Sequence, residues 1–527
     1  MTTTTPAKAI ATTLAEARVE YLFGMPGGGN NLDVIGACEA AGIRFVLAHT
    51  ETAAAIMATA WGEVTGIVGA CVVTRGPGAA SAVNGAAQAE QDRQPLLLIC
   101  DTVDQASAPR IAHQNIDQRA MFAPVTSWST TLGRTDPEQV MRDAIAVATS
   151  APRGAVHLDV DPGSTRRDPT PPPPANQGSL DDLAPHLAAA HRPLIIAGVG
   201  ARQHTKAIRD LVAGTEIPVM ATYKAKGIVP DSGPNAAGTF TNARTDAVLL
   251  DQADLILTIG LDSIELIPNP WDRHTPVLSM ADSADRYDYI EPTVTVVGPL
   301  AELITALPTL SDDWAQGTAT RHRVSIERGL LEAPVRRHGV APAAVVQAAR
   351  AAAAEGSIAT VDAGAHMLVA MPLWTSQMPG HVLISSGLAT MGYSLPASVG
   401  AALARPDLRV YCLIGDGGLQ MCSGELETLA RLGCNVTVIV FNDRTLSLIK
   451  AKQRRSGHGG AKAVEFTRTD FAGLAHAMGV PAHRAETETA LREALAAPAT
   501  GPLLVDVRVP ADAYRHVIDV TRHGRIQ

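Results

Sequence analysis

Two acidic residues, Asp416 and Asp443, each follow an apolar run that is typical of a buried β-strand. Residues 410–414 lead into the sequence Gly-Asp-Gly, and residues 436–441 lead into Asn-Asp. A helix predicted from about residue 423 to residue 432 connects the two runs. Parallel strands joined by a crossover helix end at the same edge of a sheet. Carboxylates at that edge, with glycine N–H groups beside them, suit a hard cation that holds a phosphate.

The Gly-Asp-Gly segment has two interpretations. It is either only the turn of a plain strand–helix–strand unit, or it is the diphosphate- and magnesium-binding motif of thiamine diphosphate (ThDP) enzymes, which it resembles. The family motif ends on Asn-Asn. Asp443 stands at the last of these positions, where it remains an oxygen ligand and adds one negative charge.

The amino-terminal half contains a matching feature. Residues 21–74 resemble the pyrimidine-binding domain of the acetolactate synthase and 2-oxo acid decarboxylase superfamily. The marker of that domain is a Glu that ends a strand and opens an alanine-rich helix, and Glu51 fits it. Taken alone, Glu51 would sooner be an acidic first-turn residue that complements the helix dipole.

Five further motifs follow the order that the family has. They are GMPGGG at residues 24–29, TRGPGAASAVNG at 74–85, AHQNIDQRAMFAPVTSW at 112–128, VDAGAHM at 361–367, and SSGLATMGYSLPASVGAALA at 385–404. Each motif is a weak signal singly, and a glycine-rich loop in particular is often a plain turn. Their shared order along nearly the whole chain is far more specific.

The resemblance implies a set of catalytic residues. Glu51 would hydrogen-bond the aminopyrimidine ring of the cofactor, and a largely desolvated Glu with a raised pKa is suited to share that proton. Gly28, through its N–H, and Gln114, through its amide, would orient the substrate. His113 is either a proton shuttle near neutral pH or a surface or packing residue.

The resemblance also implies how the cofactor is held. Met391 would bend the cofactor, although Met in such a segment is also common core filler, and Ala389 would offer its carbonyl to the pyrimidine. Asp416, Asp443 and the carbonyl of Thr445 would ligate Mg²⁺. The predicted cofactor-binding residues are Glu51, Pro26, Gly364, Ala365, His366, Ala389, Met391, Gly415, Asp416, Gly417, Gly418, Asp443, Thr445, Leu446 and Ser447.

The expected activity is a ThDP- and Mg²⁺-dependent decarboxylation of a 2-oxo acid, followed by carboligation of the remaining fragment to a second carbonyl compound. Three alternatives stay open: a simple 2-oxo acid decarboxylase that releases an aldehyde, a non-catalytic paralogue, and a flavin-dependent oxidase of the same superfamily. In this superfamily the two halves of one site come from different chains. We therefore expect a homodimer or homotetramer with the active site at the subunit interface.

Three positions depart from acetolactate synthases. The Arg of a GARFDDR-like sequence is missing from residues 259–271, Lys452 stands near the place of a Trp, and Ser127 stands where a Lys is expected. These departures count against FAD as a cofactor and against the standard acetolactate reaction, and they leave the ThDP motifs unchanged. The basic run at residues 450–455 is predicted to be a flexible segment near the cofactor.

Composition limits the class of protein. The net charge of −9 argues against a nucleic-acid partner. The first 20 residues lack the basic and apolar regions of a secretory signal, and no apolar stretch reaches the length of a membrane span. The six Cys residues contain no CxxC pair and mostly lie in apolar runs, as expected of reduced thiols in a cytoplasmic protein.

The predicted fold class is α/β, with three doubly wound parallel-sheet domains. The pyrimidine-binding domain spans residues 1–163, a Pro-rich linker 164–180, the middle domain 181–310, a second linker 311–342, and the diphosphate- and Mg-binding domain 343–527. Both outer domains repeat the series strand, glycine turn, helix. This repetition predicts that they are pseudo-symmetric.

Overall fold

The structure is a computed structural model that describes residues 4–104, 107–265, 271–284, 290–332, 338–457, 462–497 and 500–524. It contains three sheets of six strands each, and every strand pair between named strands is parallel. Most strands are buried along their whole length, as parallel strands covered by helices on both faces must be. The predicted fold class is confirmed.

The first sheet has the strand order β2-β1-β3-β4-β6-β5. Its strands are β1 (Tyr21–Gly24), β2 (Arg44–Leu47), β3 (Gly69–Val73), β4 (Leu96–Asp101), β5 (Trp128–Leu132) and β6 (Ala155–Val160). Its helices are α1 (Pro6–Glu16), α2 (Asn30–Ala40), α3 (Glu51–Thr65), α4 (Pro77–Gln91), α5 (Gln118–Phe122) and α6 (Pro137–Thr149).

The second sheet has the order β12-β11-β10-β7-β8-β9. Its strands are β7 (Pro193–Ala197), β8 (Val219–Ala221), β9 (Ala236–Thr239), β10 (Leu255–Ile259), β11 (Val277–Ala281) and β12 (Val294–Val297). Its helices are α7 (Leu180–Ala189), α8 (Thr205–Leu211), α9 (Arg244–Leu250) and α10 (Leu300–Thr305). The sequence analysis misses strands β9 and β11; β9 has only four residues, of which three are Ala or Gly, residue types that are depleted in strands.

Helix α11 (Thr318–Leu331) follows, inside the segment 311–342 that is predicted to be a linker. The third sheet has the order β14-β13-β15-β16-β18-β17. Its strands are β13 (Ile358–Val361), β14 (Val382–Ile384), β15 (Val410–Gly415), β16 (Val436–Asn442), β17 (Ala482–Ala485) and β18 (Leu503–Arg508). The helices of this part of the chain are α12 (Pro342–Ala352), α13 (Met367–Leu373), α14 (Ser394–Ala404), α15 (Asp416–Cys422), α16 (Glu425–Leu432), α17 (Ser447–Arg455), α18 (Phe471–Ala477), α19 (Glu488–Ala496) and α20 (Tyr514–His523).

The first and third sheets share one topology. Numbered within each domain, both sheets have the order 2-1-3-4-6-5, as the repeated series of motifs predicts. The strand order reverses between β1 and β3 in the first sheet and between β13 and β15 in the third. Open α/β sheets bind ligands beyond the carboxyl ends of the strands at such reversal points.

The chain divides into two compact units. One contains residues 1–173, 388–407 and 422–434, and the other contains residues 174–387, 408–421 and 435–527. Helices α14 and α16 therefore belong to the same unit as the first sheet. Helix α14 packs closely on α3, because Gly400 brings its backbone to a point where a Cβ would lie 2.2 Å from the carbonyl oxygen of Met57.

Two local predictions are wrong. The helix predicted from about residue 423 to residue 432 is present as α16, but the turn predicted at Gly-Asp-Gly is wrong, because Gly415 ends β15 and a separate helix, α15, begins at Asp416. The basic run at residues 450–455 lies in helix α17 and is not a loop. Its Lys450 pairs with Glu465 at 3.1 Å.

All six cysteines are free, and five of them are buried. Burial raises the pKa of Cys38 and of Cys434 to about 12, which agrees with inert thiols. Within the part of the chain that the structure describes, no helix is long and apolar enough to cross a membrane.

Gly85 in helix α4 tests the packing of the first domain. A Cβ at this position would lie 2.4 Å from the Cβ of Ala55 in α3, so Gly85→Ala forces two buried helices apart. We expect a loss of about 1–3 kcal/mol in unfolding free energy, as for other overpacked cores. The midpoint of denaturant-induced unfolding measures it.

Gly36 provides the matched control because it also lies inside a helix, α2, but is exposed with nothing within 4 Å of the Cβ position. Gly36→Ala should stabilise the protein by about 0.5–1 kcal/mol through the lower backbone entropy of Ala. Equal effects of the two substitutions would contradict the described contact between α3 and α4.

Candidate active site

The reversal point of the first sheet brings together the glycine-rich loop after β1 and the turn after β3. The Thr74 side chain fills the space between them. A Cβ on Gly27 would lie 2.3 Å from Thr74 Oγ1, and a Cβ on Gly78 would lie 2.9 Å from Thr74 Cγ2. These glycines are required by close packing, which explains two of the family-like motifs in physical terms.

Glu51 reaches the same turn from the amino terminus of α3. Thr50 caps this helix by accepting a hydrogen bond from the N–H of Ala53, and Glu51 Oε1 lies 3.1 Å from the position that a Cβ on Gly78 would take. The Glu51 side chain is half-buried in the single chain, whereas the sequence analysis expects it to be largely desolvated. A carboxylate at this point can exchange a proton with a ligand beyond the sheet.

Gln118 holds the turn after β3 and was missed by the sequence analysis. Its buried side chain accepts the N–H of Gly76 at 2.9 Å and donates to the carbonyl of Asp101 at 3.1 Å and to Asp159 at 2.5 Å. The Gly76 backbone in turn lies against Gln114, which has a left-handed φ of 56°. Gln118 therefore holds the turn against which the Gln114 backbone lies.

The other residues predicted on this side differ in exposure. Gly28 and Pro26 lie exposed in the loop after β1, and no atom of the described residues lies within 4 Å of the Cβ position on Gly28. His113 is exposed, and Gln114 is half-buried. The open space at Gly28 leaves room for a substrate close to its backbone.

Two glutamates of α16 contact His49 in the corner that precedes Glu51, formed by His49 and Thr50. The buried Glu425 accepts the backbone N–H of His49 at 2.9 Å and the hydroxyl of Thr428 at 2.7 Å. The exposed Glu427 contacts the ring Nε2 of His49 at 2.8 Å. Burial raises the pKa of Glu425. No local sequence pattern indicates this contact, because the partners are far apart in the chain.

Ala389 and Met391 lie in the segment before α14. Ala389 is exposed and has a left-handed φ of 54°, which costs energy for a residue with a side chain and often marks a functional site. Thr390 between them donates a hydrogen bond to Asn84 Oδ1 at 3.0 Å. Met391 is half-buried, so its side chain is not simply core filler.

The reversal point of the third sheet places Asp416 directly beyond β15. Its carboxylate accepts the N–H of Gly417 at 2.7 Å and the N–H of Arg444, beyond β16, at 2.5 Å. Burial, and next the charge of Asp443, raise the pKa of Asp416 to about 7. The two carboxylates predicted to bind a metal are therefore neighbours, and their charges repel each other.

Asp443 is held from its other side by the start of α17. It accepts the N–H of Thr445 at 3.0 Å and the hydroxyl of Ser447. Burial raises the pKa of Asp443 to about 6. The Thr445 hydroxyl donates to the Val464 carbonyl at 2.8 Å, and the Thr445 carbonyl accepts the N–H of Ser447 at 2.9 Å. A carbonyl has two lone pairs, so one remains for a cation.

His366, beyond β13, is the most telling residue of this edge. It is 4% exposed, stacks on Phe441 with ring centroids 5.2 Å apart, and its Nε2 has no hydrogen-bond partner among the described residues. Burial lowers its pKa to about 4, so the ring is neutral near pH 7. Buried polar atoms without a partner are rare, and this one fits a ligand at the sheet edge.

Glycines line the same edge because side chains would not fit. A Cβ on Gly418 would lie 2.0 Å from Asp362 Oδ2, one on Gly417 3.0 Å from Leu446 Cδ2, and one on Gly364 2.8 Å from the His366 ring. Ala365 is buried beside them. Gly415 ends β15, and α13, α15 and α17 begin next to the edge. Helix amino termini attract phosphate groups.

Three family models match the chain, and each is described as a domain of thiamine pyrophosphate (TPP, also called ThDP) enzymes. The N-terminal TPP binding domain matches residues 4–121, the central domain 180–307, and the C-terminal TPP binding domain 362–507. The outer two matches contain the two sheet edges described above.

Relatives match nearly the whole chain. The acetolactate synthase of Bacillus subtilis (strain 168) is 28% identical over 95% of this chain and 93% of its own length. The catabolic acetolactate synthase of Raoultella terrigena is 29% identical over 95% and 94%. The acetolactate synthase isozyme 1 large subunit of Escherichia coli (strain K12) is 26% identical over 96% and 94%. Because the three domains match in order along the chain, the chain belongs to the thiamine diphosphate enzymes and is similar to acetolactate synthases.

Proposed function

We propose that the protein is a ThDP- and Mg²⁺-dependent carboligase. It removes carbon dioxide from a 2-oxo acid and joins the remaining fragment to a second carbonyl compound. Relatives named acetolactate synthase, which match more than nine-tenths of the chain, support carboligation. Aromatic residues make up only 4% of the chain, which favours a small aliphatic donor such as pyruvate.

The observation that carries this proposal is the edge of the third sheet. Two buried carboxylates with raised pKa values and one buried imidazole nitrogen without a partner lie beyond three adjacent strands, β13, β15 and β16. A divalent cation offsets the repulsion between the carboxylates, and an anion bound to that cation can accept or share a hydrogen bond with His366. Magnesium commonly binds proteins through one or two carboxylates together with substrate phosphates.

The residues of this edge therefore fit a magnesium ion and a diphosphate. Asp416, Asp443 and the carbonyl of Thr445 would hold the ion, and His366 with the N–H groups of Gly417 and Gly418 would contact the diphosphate. When bound, ThDP supplies an electron sink for the loss of carbon dioxide.

The residues beyond the first sheet would orient the reactants and move protons. Glu51 would hold the proton shared with the pyrimidine ring. The Gly28 N–H and the Gln114 amide would fix the substrate carboxylate and carbonyl, a positioning effect that lowers the entropic cost of the reaction. His113 stays a candidate proton shuttle, and Ala389 and Met391 are proposed to position the pyrimidine.

Loss of the Glu51 carboxyl group tests the chemistry. Glu51→Gln keeps the size of the side chain but removes the exchangeable acid, so we expect carbon dioxide release from 2-oxo acids to fall by about 100-fold or more. Release is measured with ThDP and Mg²⁺ over a panel of 2-oxo acids. Chromatography of the products separates a 2-hydroxy ketone from an aldehyde.

Glu20, an exposed residue directly before β1, provides the control: Glu20→Gln should leave turnover unchanged. Undiminished release in Glu51→Gln would contradict the assigned role of Glu51. An aldehyde as the main product would show that the protein is a simple decarboxylase and not a carboligase.

The pH dependence of cofactor binding follows from the carboxylate pair. Cation binding requires both groups ionised, and Asp416, with its pKa raised to about 7, holds a proton below that pH. Affinity for Mg²⁺ and ThDP should therefore rise with pH and level off above about 7, because binding must release protons. Tryptophan fluorescence titrations across pH 5.5–8.5 measure the dissociation constant.

Asp443→Asn is the matched variant because it keeps an oxygen ligand and removes the like charge. The pKa of Asp416 should then fall, and the rise in affinity should shift to lower pH. The stability of the cofactor-free protein changes with pH in the opposite direction to its affinity for the cofactor. Carboxyl groups with raised pKa values stabilise the folded state at low pH, and this contribution is lost as the pH rises through about 6 for Asp443 and about 7 for Asp416. Identical pH profiles for the two proteins would contradict the coupling.

Glu425 and Glu427 form a matched pair at the corner before Glu51. Glu425→Ala leaves the His49 N–H without its acceptor and frees the corner, so we expect kcat/KM to fall by about 10- to 100-fold through misplacement of Glu51. Glu427→Ala breaks only exposed contacts, with His49 and Arg431, and should change activity by less than about twofold.

Glu425→Gln keeps an oxygen that accepts the His49 N–H and should recover most of the activity. Circular dichroism and the unfolding midpoint establish that the variants are folded. If Glu425→Ala and Glu427→Ala have equal activity, Glu425 does not position Glu51.

A further inference from the structure

The middle domain has the strand order of a dinucleotide-binding fold. Numbered within the domain, β12-β11-β10-β7-β8-β9 is the order 6-5-4-1-2-3. In this fold a dinucleotide lies across the point where the order reverses, here between β7 and β10, and its pyrophosphate binds backbone N–H groups of the glycine turn after the first strand. That turn is Gly198-Val199-Gly200.

The carboxyl group of Glu265 occupies this position. Glu265 lies in the short turn after β10, and its Oε2 accepts the N–H of Val199 at 2.8 Å. Its Oε1 accepts the hydroxyl of Thr222, beyond β8, at 2.6 Å. One side chain therefore joins the carboxyl ends of β7, β8 and β10, and it uses an N–H group that a pyrophosphate would need.

The backbone closes the same space. Gly200 donates its N–H to the carbonyl of Gly260 at 2.9 Å. A Cβ on Gly198 would lie 2.4 Å from the Cα of Leu261 and 2.9 Å from Glu265 Oε2. The turns after β7 and β10 are thus in contact. In a dinucleotide-binding fold such glycines allow a pyrophosphate to approach the backbone, whereas here they allow the backbone of the turn after β10 to do so.

The charge at this point is also unsuited to an anion. Asp262 is near enough for its charge to raise the pKa of Glu265, after the larger effect of burial, and the pKa reaches about 8. His204 on the turn after β7 is paired with Asp282 at 3.5 Å. Asp262 stands in the stretch where acetolactate synthases carry a GARFDDR-like sequence, and the Arg of that sequence is missing here.

We propose that Glu265 substitutes for a ligand phosphate at the reversal point of the middle sheet, so that this domain binds no FAD or other adenine dinucleotide. The middle domain then acts as a closed structural domain, and the catalytic cycle proceeds without flavin. This inference excludes the flavin-dependent oxidase. It does not depend on the proposed reaction, because its test measures binding and not turnover.

The test uses the full-length protein with ThDP and Mg²⁺ present. Protein purified from cells should lack flavin absorbance near 450 nm, and equilibrium dialysis against FAD and against ADP should give dissociation constants weaker than about 1 mM. Neither ligand should raise the thermal midpoint, since only a ligand that binds the folded state stabilises it. A flavoprotein of known content calibrates the absorbance. Flavin that is retained at one per chain through gel filtration, or saturable binding of FAD or ADP in the micromolar range, overturns the proposal.

Two variants test whether Glu265 itself closes the space. Glu265→Gln keeps an oxygen for the Val199 N–H and an amide that can donate to the Thr222 hydroxyl, so it should match the wild type in midpoint and in lack of binding. Glu265→Ala leaves both groups without their partner and should lower the midpoint by several degrees, as expected when buried polar groups lose a hydrogen bond. An alanine variant as stable as the wild type would show that the carboxyl group does not hold the turns together.

Discussion

Two carboxylates cannot both stay ionised side by side in a buried site unless a cation lies near them. Asp416 and Asp443 are neighbours of this kind: burial raises the pKa of both, and the charge of Asp443 raises the pKa of Asp416 further. The surrounding structure keeps them there: backbone N–H groups of the turn after β16 bind Asp416, and the first residues of α17 bind Asp443. The two carboxylates are therefore held together by the fold, and a divalent cation with a phosphate ligand would offset their repulsion.

The topology explains why residues from distant parts of the sequence meet at two edges. Both outer sheets have the order 2-1-3-4-6-5, and in each the strand order reverses where the key residues lie. Glu51, Gly78 and Gln114 gather beyond one sheet, and His366 and Asp416 gather beyond the other. The middle sheet has a different order, and Glu265 occupies its reversal point. The rule that ligands bind where the strand order reverses thus accounts for two candidate ligand sites. It also identifies the equivalent position of the middle sheet, which the Glu265 side chain occupies.

Much of this arrangement could be predicted from the sequence. Asp416, Asp443 and Glu51 stand at the ends of recognisable apolar runs, and the order of the family-like motifs around them singles them out as candidates. The wrong predictions concern local conformation. Gly-Asp-Gly is interpreted as a turn from the sequence, but β15 ends at Gly415 and a helix begins at Asp416. Helix α17 is missed because most of its residues are polar and the sequence Ser-Gly-His-Gly-Gly that follows it favours a loop.

The supporting residues could not have been found in the sequence. Gln118, Glu425 and Glu265 act through single hydrogen bonds to backbone N–H groups that are remote in the chain or lie in irregular turns, and such contacts leave no periodic pattern. Glu427 makes the point clearly: it lies two residues from Glu425 with the same chemistry, yet only the structure shows that one is buried against the His49 backbone and the other exposed.

The central claim is that binding of the cation and diphosphate ionises the Asp416–Asp443 pair. Calorimetric titration of ThDP with Mg²⁺ in two buffers of different ionisation enthalpy counts the protons released, and comparison with Asp443→Asn cancels those that come from the ligand. We predict that at pH 6.5 the wild type releases up to about one proton more per site than the variant, and that the excess disappears by about pH 8.5. Equal proton release by the two proteins at pH 6.5, or net proton uptake by the wild type, would contradict the account.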